Sequence, residues 1–366
     1  MSLRYLEQFE SKSTVRAYRA ALKKFFQVIY GVEEFKLEEY AEKYLKEKRN
    51  FENDVQTYMI ALKEAPPKTR RLYLTAVKIF LLENGIELSQ LFWRRLRGRI
   101  KGSGAISEEK VPNKDQLRSL FMHLPVHGKA LFLTLLSSGM RIGEALKLKV
   151  SDVDLTQQPA TVYIRAEYTK TGEKRIAFIS SEAAEAIREW LKVRGEYLEA
   201  ATGKSHIYGK KAEDDRLFPF SSVNARVMWR NALNKTGNGA IDPKTRRLMM
   251  RPHVLRKFFR AMLGRQSVDM TEALMGHSGY LTEVYRKYPD PEKTLADFYR
   301  QNEHLLLIFA DTSNIIKKQS ELEQQNKQLQ QILNGLVAEN MELKSRLQKT
   351  EEKLAEIERL LRELTS

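Results

Sequence analysis

Two segments of the chain combine arginine, histidine and helix-start signals in a way that suits binding of a phosphate. In SSGMRIGEAL, Arg141 lies two residues after Gly139 at the predicted start of a helix, where helix N–H groups and a guanidinium can face the same anion. In RPHVLRKFFR, His253 and Arg256 are three residues apart, so they share one helix face. That face offers a proton donor and a guanidinium fork that fits two phosphate oxygens.

A third segment and a predicted hairpin add further reactive side chains. In LMGHSGYLTEVYRKY, His277 precedes Tyr285 by eight residues. TVYIRA and RIAFIS alternate in polarity and YTKTGE lies between them, which predicts a β-hairpin with Lys170 at its turn. Each residue alone fits an ordinary structural role. Their order along the chain is more informative: Arg, hairpin Lys, His-x-x-Arg, Gly-His, Tyr.

This ordered series resembles the tyrosine recombinase family, also called phage-type integrases. The resemblance runs from about Val111 to Pro289, where SGMRIGEAL, TKTGEKRIAFIS, HVLRKFFR and LMGHSGYLTEVY are similar to the family's motifs, in the family's order. It implies a site-specific DNA recombinase, or integrase, that cleaves and rejoins duplex DNA through a 3′-phosphotyrosyl intermediate and a Holliday junction. It also implies that no metal and no cofactor are needed, and it is in keeping with a mobile element or virus as the source.

The resemblance implies a role for each matching residue. Phosphoryl transfer needs charge stabilisation on the non-bridging oxygens, and guanidinium groups carry charge at every physiological pH. Glu144 would orient its neighbours. The implied catalytic residues are Arg141 and Arg256 as phosphate clamps, Lys170 as general acid for the leaving 5′-oxygen, His253 and His277 as proton-transfer or phosphate-binding partners, and Tyr285 as nucleophile.

Two of these assignments keep an alternative. The family more often has nine residues from this histidine to the tyrosine, whereas His277 and Tyr285 are eight apart, so Tyr288 is an alternative nucleophile. Lys174 lies near Lys170 and is an alternative general acid. We favour Tyr285 because its spacing is closer to the family's, and Lys170 because it lies at the start of the hairpin turn.

The elements that position these residues follow a predicted DNA-binding bundle. Residues 1–100 carry four or five amphipathic patterns, which predict a compact, basic helical domain that resembles the family's core-binding domain. Its last helix, SQLFWRRLRGRI, places four arginines near Phe92 and Trp93, and basic helices with exposed aromatics suit groove and phosphate contacts. The predicted DNA-binding residues are Lys68, Arg70, Arg71, Arg94, Arg95, Arg97, Arg99 and Lys101.

The predicted fold is mainly α. It comprises a helical core-binding domain, a mixed α+β catalytic domain with a small antiparallel sheet, and a C-terminal coiled-coil helix. A Gly- and Ser-containing charged stretch separates the first two and reads as a linker. The predicted boundaries are 1–100 for the core-binding domain, 101–112 for the linker, 113–310 for the catalytic domain and 313–366 for the coiled coil.

The C-terminal segment has a heptad pattern. Seven of its eight d positions are apolar, the exception being Thr350: Ile315, Leu322, Leu329, Leu336, Leu343, Thr350, Ile357 and Leu364. Asn326 and Asn340 occupy a positions, where buried asparagines favour a parallel dimer. We therefore predict a homo-oligomer, dimeric through the coiled coil and tetrameric on synapsed DNA. The lack of proline from Leu295 to Leu364 allows one nearly continuous helix.

Composition narrows the class of protein further. The 366 residues carry a formal net charge of +16, and because residues 313–366 hold nine basic and nine acidic residues, all of this surplus lies upstream. Such a surplus favours a polyanionic partner such as double-stranded DNA. The absence of cysteine excludes disulfides and thiol chemistry. No apolar run approaches the ~20 residues of a membrane span, so we expect no membrane partner and a cytoplasmic, nucleoid-associated protein.

Other functions remain as alternatives. A type IB topoisomerase would use the same residue types to relax DNA as a monomer, and a relative without activity would act as a non-catalytic DNA-binding architectural protein. A leucine-zipper regulator needs a basic helix before its heptads, whereas QNEHLLLIFADTSN is apolar and acidic. A two-metal nuclease needs clustered carboxylates, and no convincing set is visible.

Overall fold

The computed structural model describes residues 2–102, 109–204, 213–243, 245–277, 290–310 and 324–350, the last range without positions 338, 342, 345 and 349. The chain divides into two compact units: Met1–Glu108 with Asp242–Arg247, and Glu109–Ile241 with Leu248–Ser366. The described elements are mainly helical with one small antiparallel sheet, which confirms that part of the predicted fold class. In these ranges, no helix is long and apolar enough to cross a membrane.

The first unit is a helical bundle that begins with a short 3₁₀ turn at Arg4–Gln8. Its helices are α1 (Lys12–Tyr30), α2 (Leu37–Lys46), α3 (Phe51–Ala61), α4 (Pro67–Glu83) and α5 (Gln90–Gly98). The Ser11 side chain caps α1 by accepting the Thr14 N–H, and Gly31, at φ 69°, ends it. Apolar residues at three- and four-residue spacing, such as Leu22 and Phe26, meet in a single core.

Helix α5 corrects one expectation. Phe92, Trp93 and Leu96 are buried in the bundle core, so the aromatics of this helix are not exposed. Their spacing of three and four residues makes them one helix face, and burial of that face is what holds the short helix to the bundle. The arginines of α5 lie on the other face, exposed to solvent.

The second unit is built around a central helix. Its helices are α6 (Lys114–Met122), α7 (Val126–Ser138), α8 (Ile142–Ala145), α9 (Ser181–Lys204), α10 (Ser222–Lys235), α11 (His253–Leu263), α12 (Val268–Met275) and α13 (Pro291–Asn302). Helix α7 is apolar on all sides and almost wholly buried, because α6, α9, α10 and α11 all pack against it. Such an all-round apolar pattern is typical of a core helix.

The sheet of the second unit has three antiparallel strands. They are β1 (Val153–Asp154), β2 (Ala160–Ile164) and β3 (Arg175–Ile179), in the order β1-β2-β3. Val162 of β2 pairs with Ala177 of β3 on one side and with Val153 of β1 on the other. The predicted hairpin is thus confirmed. Strand β1 is new, since two residues are too few to give a sequence pattern.

The chain after α13 does not continue as a helix. Helix α13 ends at Asn302, a 3₁₀ turn follows at Glu303–Leu305, and Leu306 and Ile308 are then buried in the core of the second unit. The Glu182 carboxylate accepts the N–H groups of residues 308, 309 and 310 at 2.8, 2.7 and 2.8 Å. The idea of one helix from 295 to 364 is therefore wrong, because this apolar segment is tied to α9 instead.

The C-terminal helix is described over residues 324–350 and is helical at each described position. Its large apolar side chains are between 47% and 69% exposed: Leu329, Ile332, Leu333, Leu336, Val337, Met341, Leu343 and Leu347. Such exposure of a regular apolar stripe is unusual unless the stripe binds a partner. Dimerisation through this helix stays a prediction.

Candidate active site

Glu144 is the buried acidic residue that holds Arg141 in place. Its side chain is only 2% exposed. One carboxylate oxygen accepts the backbone N–H of Arg141 at 2.9 Å, and the other accepts Nη1 of the same residue at 2.9 Å. Arg141 therefore caps α8 while its guanidinium stays partly exposed. Burial works against the charged carboxylate, but its ion pairs outweigh burial and lower the pKa of Glu144.

Arg175 is a second partner of Glu144 that the sequence analysis did not single out. Its Nη2 donates to Glu144 Oε2 at 2.6 Å, and its side chain is 11% exposed. Arg175 is the first residue of β3, so this ion pair fastens the hairpin that carries Lys170 to the turn that carries Arg141. Its guanidinium also lies against Gly276, where an added Cβ would come within 2.6 Å of the Arg175 side chain.

Among the predicted catalytic residues that the structure describes, Arg256 on α11 is the most buried, at 4% exposure. Its Nη1 donates to the Gly139 carbonyl and its Nη2 to the Met275 carbonyl, the latter at 3.0 Å. Burial, followed by repulsion from Arg141, lowers the pKa of Arg256 to about 10. Arg256 is thus still charged at neutral pH, and it lies close enough to Arg141 for the two guanidinium charges to repel each other.

His277 is oriented by hydrogen bonds on both ring nitrogens. Nε2 lies 2.8 Å from Arg256 Nη2, which can only donate, so Nε2 is the acceptor. Nδ1 therefore carries the proton and donates to the Glu272 carboxylate on α12. Burial opposes ionisation of Glu272, but hydrogen bonds from His277 and Arg260 outweigh it and lower the pKa of this carboxyl. The geometry fits a neutral imidazole.

His253 starts helix α11 one turn before Arg256, directly after Pro252. Partial burial and the positive charge of Arg256, then of Lys257, Arg251 and Arg141, lower its pKa below the ordinary value of 6.5. An imidazole among cations is disfavoured in its protonated form. His253 is therefore neutral at physiological pH and able to accept a proton or to donate one hydrogen bond.

Both candidate lysines lie on the exposed connection between β2 and β3. A cavity of about 180 Å³ opens at this connection, and Lys174, Arg175, Gly276 and His277 are among its lining residues. Lys170 is not among them. Lys174 and His277 therefore line the same cavity, while the choice between the two lysines as general acid stays a prediction.

The structure brings together four of the six predicted catalytic residues. Arg141 is hydrogen-bonded to Glu144, and Arg256 is hydrogen-bonded to the carbonyl of Gly139, two residues before Arg141. His277 is hydrogen-bonded to Arg256, and His253 is close enough to Arg256 for that charge to lower its pKa. Lys170 lies on the neighbouring hairpin. Tyr285, and with it the alternative Tyr288, is outside the described residues.

Glu109 forms an ion-paired cluster next to this site. Within the segment predicted as a linker, its carboxylate pairs with Arg251 and with Lys257, two of the cations that depress the pKa of His253. The adjacent Lys110 N–H donates to the Met249 carbonyl at 3.2 Å. Residues 109 and 110 are therefore packed on the second unit. Ion pairs between residues so far apart in the chain leave no local sequence pattern.

The predicted DNA-binding residues of the first unit are grouped on α4, α5 and the segment that follows. Lys68, Arg94, Arg95, Arg97, Arg99 and Lys101 are exposed, and Arg70 and Arg71 are half-buried. Arg71 donates to the Ile100 carbonyl at 3.1 Å, which ties α4 to the end of α5. A groove of about 660 Å³ is lined by Arg71, Lys78, Arg94 and Arg97 together with Trp93. Lys78 is a member that the sequence analysis missed.

Comparison with known proteins assigns the family. Residues 111–292 match the Phage integrase family. Tyrosine recombinase XerA of Saccharolobus solfataricus is 25% identical over 275 residues, 74% of this chain and 81% of the relative. Tyrosine recombinase XerC of Halalkalibacterium halodurans is 28% identical over 180 residues, 48% of this chain and about half (54%) of that relative. The chain belongs to the phage integrase family, the tyrosine site-specific recombinases.

A solved structure supports the same fold. A lambda integrase dimer bound to a COC′ core site aligns with a TM-score of 0.52 at 14% identity, over 81% of this chain and 93% of that one. At this identity the likeness concerns the fold alone. The match extends beyond residues 111–292, since 81% of the chain is longer than that range.

Proposed function

We propose that the chain cleaves and rejoins duplex DNA at specific sites through a 3′-phosphotyrosyl intermediate and exchanges strands through a Holliday junction. The observation that carries the proposal is the pair of guanidiniums, Arg141 and Arg256, fixed by Glu144 and by backbone carbonyls, with His277 hydrogen-bonded to Arg256. Two fixed cations beside a neutral imidazole form a receptor for one phosphodiester. Family membership supports the proposed reaction class, and we infer the nucleophile, Tyr285, from the same resemblance.

The chemistry would proceed by in-line displacement at phosphorus. The Tyr285 hydroxyl oxygen attacks the phosphodiester, a P–O bond to tyrosine forms, and the P–O5′ bond breaks. Lys170 gives its proton to the leaving 5′-oxygen, and the tyrosine proton passes to a base, for which neutral His253 is suited. The negative charge that develops on the non-bridging oxygens is stabilised by Arg141 and Arg256, so the step requires no metal.

Rejoining would be the reverse of cleavage. A 5′-hydroxyl from the partner strand attacks the phosphotyrosine, and the tyrosine leaves. The covalent intermediate conserves the energy of the phosphodiester bond, so no nucleotide cofactor is consumed. Two exchanges in sequence would form and resolve the Holliday junction.

The first unit would provide much of the affinity for duplex DNA. The groove between α4 and α5 carries Arg71, Lys78, Arg94 and Arg97, which suit phosphate contacts. Residues 1–100 would then act as the core-binding domain and 113–310 as the catalytic domain, with 101–112 between them. The protein would act in the cytoplasm, associated with the nucleoid.

The C-terminal segment 313–366 would join protomers. Its exposed apolar stripe needs a partner, and heptads over this length favour self-association. A dimer through this segment and a tetramer on synapsed DNA would supply the four active sites that exchange of both strands of two duplexes requires.

A suicide substrate tests the reaction. The protein is incubated with nicked or half-site DNA from its flanking element, in EDTA, and an SDS-stable protein–DNA adduct is sought. We expect an adduct with the wild type and with Tyr288→Phe, and none with Tyr285→Phe. If the adduct is lost only with Tyr288→Phe, the nucleophile is Tyr288 and not Tyr285. DNA binding without any adduct would overturn the proposal in favour of an architectural protein.

A DNA relaxation assay distinguishes a site-specific recombinase from a type IB topoisomerase. Supercoiled plasmid relaxed at sites of any sequence by protein at monomer concentrations would indicate topoisomerase-like function. Adduct formation confined to one site, with recombinant products that appear at higher protein concentration, is the expected result.

A further inference from the structure

The apolar stripe of the C-terminal helix lies along one side of that helix. Leu329, Leu336 and Leu343 follow each other at seven-residue intervals, and Leu333 and Leu347 lie between them at a positions. All five are more than half exposed, so nothing in the described part of the chain covers them. A stripe with a strict seven-residue repeat fits another helix that carries the same repeat.

The charged residues that flank the stripe match a second copy of the same helix. In a parallel two-stranded coiled coil, each g residue faces the e residue of the following heptad on the partner. Here Glu339 is at g and Lys344 is at the following e, and both side chains are exposed. The next two g–e pairs in the sequence are also of opposite charge, namely Arg346 with Glu351 and Lys353 with Glu358. The g–e pair that precedes Glu339 and Lys344 is apolar, Ile332 with Val337.

The two asparagines at a positions favour a parallel over an antiparallel pair of helices. Parallel, in-register helices place a beside a, so Asn326 meets Asn326 and Asn340 meets Asn340 of the second copy, and each amide finds a polar partner. Antiparallel helices place a beside d. Every d residue except Thr350 is leucine or isoleucine, so an antiparallel pair would leave buried amides without partners.

We propose that residues 313–366 form a parallel, in-register, two-stranded coiled coil with a second copy of this chain, specified by the g-to-e charge pairs that begin with Glu339 and Lys344 and by the two a-position asparagines. The inference deepens, and rests on, the proposed self-association. It adds that the two catalytic units are joined to the same end of one rod, so they are paired before any DNA is bound.

Single cysteines test the orientation in the full-length protein, because the chain has none of its own. Leu329→Cys and Thr350→Cys place a thiol at d positions that are 21 residues apart, roughly 30 Å along a helix. Gln331→Cys, on the outward face of the same helix, is the matched control. Each variant is oxidised under mild conditions and examined by non-reducing electrophoresis.

The expected result is a disulfide-linked dimer with Leu329→Cys and also with Thr350→Cys, each alone, and little with Gln331→Cys. No antiparallel register brings both positions next to their own copies, so cross-linking at one position or at neither overturns the proposal. A trimeric or larger mass by light scattering also overturns it. The suicide-substrate assay on the same samples reports the recombinase chemistry separately, because an adduct forms or fails to form whatever the tail orientation.

A charge exchange provides a second measurement. Glu339→Lys alone and Lys344→Glu alone each place like charges opposite each other twice in the dimer, and we expect the dimer dissociation constant to rise on the order of tenfold. The double variant restores opposite charges and should return to near the wild-type value. If the double variant is weaker than either single variant, the two residues do not face each other and the parallel register is wrong.

Discussion

At the scale of single residues, the buried carboxylate of Glu144 is the centre of the candidate site. It accepts hydrogen bonds from Arg141 and from Arg175, two residues that lie 34 positions apart in the chain. Arg141 would touch the phosphate, whereas the hydrogen bond of Arg175 to Glu144 would act on the phosphate through Arg141. Arg175 is therefore a positioning residue, and its effect should appear in the chemical step more than in DNA binding.

Arg175→Lys tests this role. A lysine keeps the charge but lacks the guanidinium fork, so Arg141 should be held less firmly. We expect single-turnover adduct formation to slow by roughly 10- to 100-fold, with half-site DNA binding within about twofold of the wild type. The matched control is Arg165→Lys, because Arg165 also pairs with a buried carboxylate, Asp152, at 2.6 Å. Equal losses in both variants would indicate a general effect on stability.

His253 should set the acid side of the pH profile. Its pKa is lowered below 6.5, mainly by burial and by Arg256. If the neutral imidazole accepts a proton, adduct formation falls as pH drops through that lowered pKa, and His253→Gln removes this inflection. Rate measurements from pH 5 to 8 check it; parallel profiles for both proteins would contradict it.

The lowered pKa of His253 also makes the stability of the fold depend on pH. The unfolded chain takes up this proton at a higher pH than the folded protein does, so the free energy of unfolding falls as pH is lowered below about 6.5. His253→Gln should lose that part of the dependence, which denaturant titrations at two pH values can measure.

At the residue level, the sequence could single out only side chains that stand in short local motifs. Arg141, His253, Arg256 and His277 stand in short motifs, and the structure groups them, although their catalytic roles stay predictions. The sequence did not identify Glu272 as a residue of the candidate site. It supports His277 from the preceding helix, and nothing about an exposed-looking glutamate in TEALM marks it as a hydrogen-bond partner.

At the scale of elements, the turn between α7 and α8 depends on a close approach to α11. Gly139 has φ 63°, and a Cβ added there would lie 2.5 Å from the Phe259 ring. Gly139→Ala should therefore suffer both left-handed backbone strain, about 1–2 kcal/mol, and a clash that adds about 1–3 kcal/mol. Thermal unfolding should show a clear drop in Tm.

Gly172 in the hairpin connection is the matched control. It has φ 72°, yet nothing lies within 4 Å of an added Cβ. Gly172→Ala should cost the backbone strain alone. If both variants lose the same stability, the packing of Phe259 on the turn makes no contribution.

Element prediction failed where burial decided the outcome. The pattern of α5 gave the helix but not the direction of its aromatic face, since a basic amphipathic helix can turn Phe92 and Trp93 toward DNA or toward its own core. The absence of proline after Leu295 allowed a continuous helix. The structure ends it at Asn302, because burying Leu306 and Ile308 against the second unit stabilises the chain more than a few further helical residues.

At the scale of the whole molecule, the tail should govern cooperativity on DNA. Leu336→Asp places a charge in the apolar stripe and should give a monomer. We expect its affinity for a half-site to stay within about twofold, because the basic groove lies in the first unit, while cooperative binding to a full site weakens by 10- to 100-fold or more. Gel shifts on both DNAs measure this. Gln331→Asp, on the outward face, should behave as the wild type.

The attachment of the tail has a mechanical consequence. Three successive N–H groups, of residues 308 to 310, bond to one carboxylate, Glu182, and Arg118 holds the Ile308 carbonyl at 3.0 Å. A pull on the C-terminal helix therefore loads several hydrogen bonds at once and is transmitted into the first turn of α9 before it can reach α13. If protomers of an assembly pull on one another while DNA strands are exchanged, these hydrogen bonds would keep the force from reaching the segment next to Tyr285.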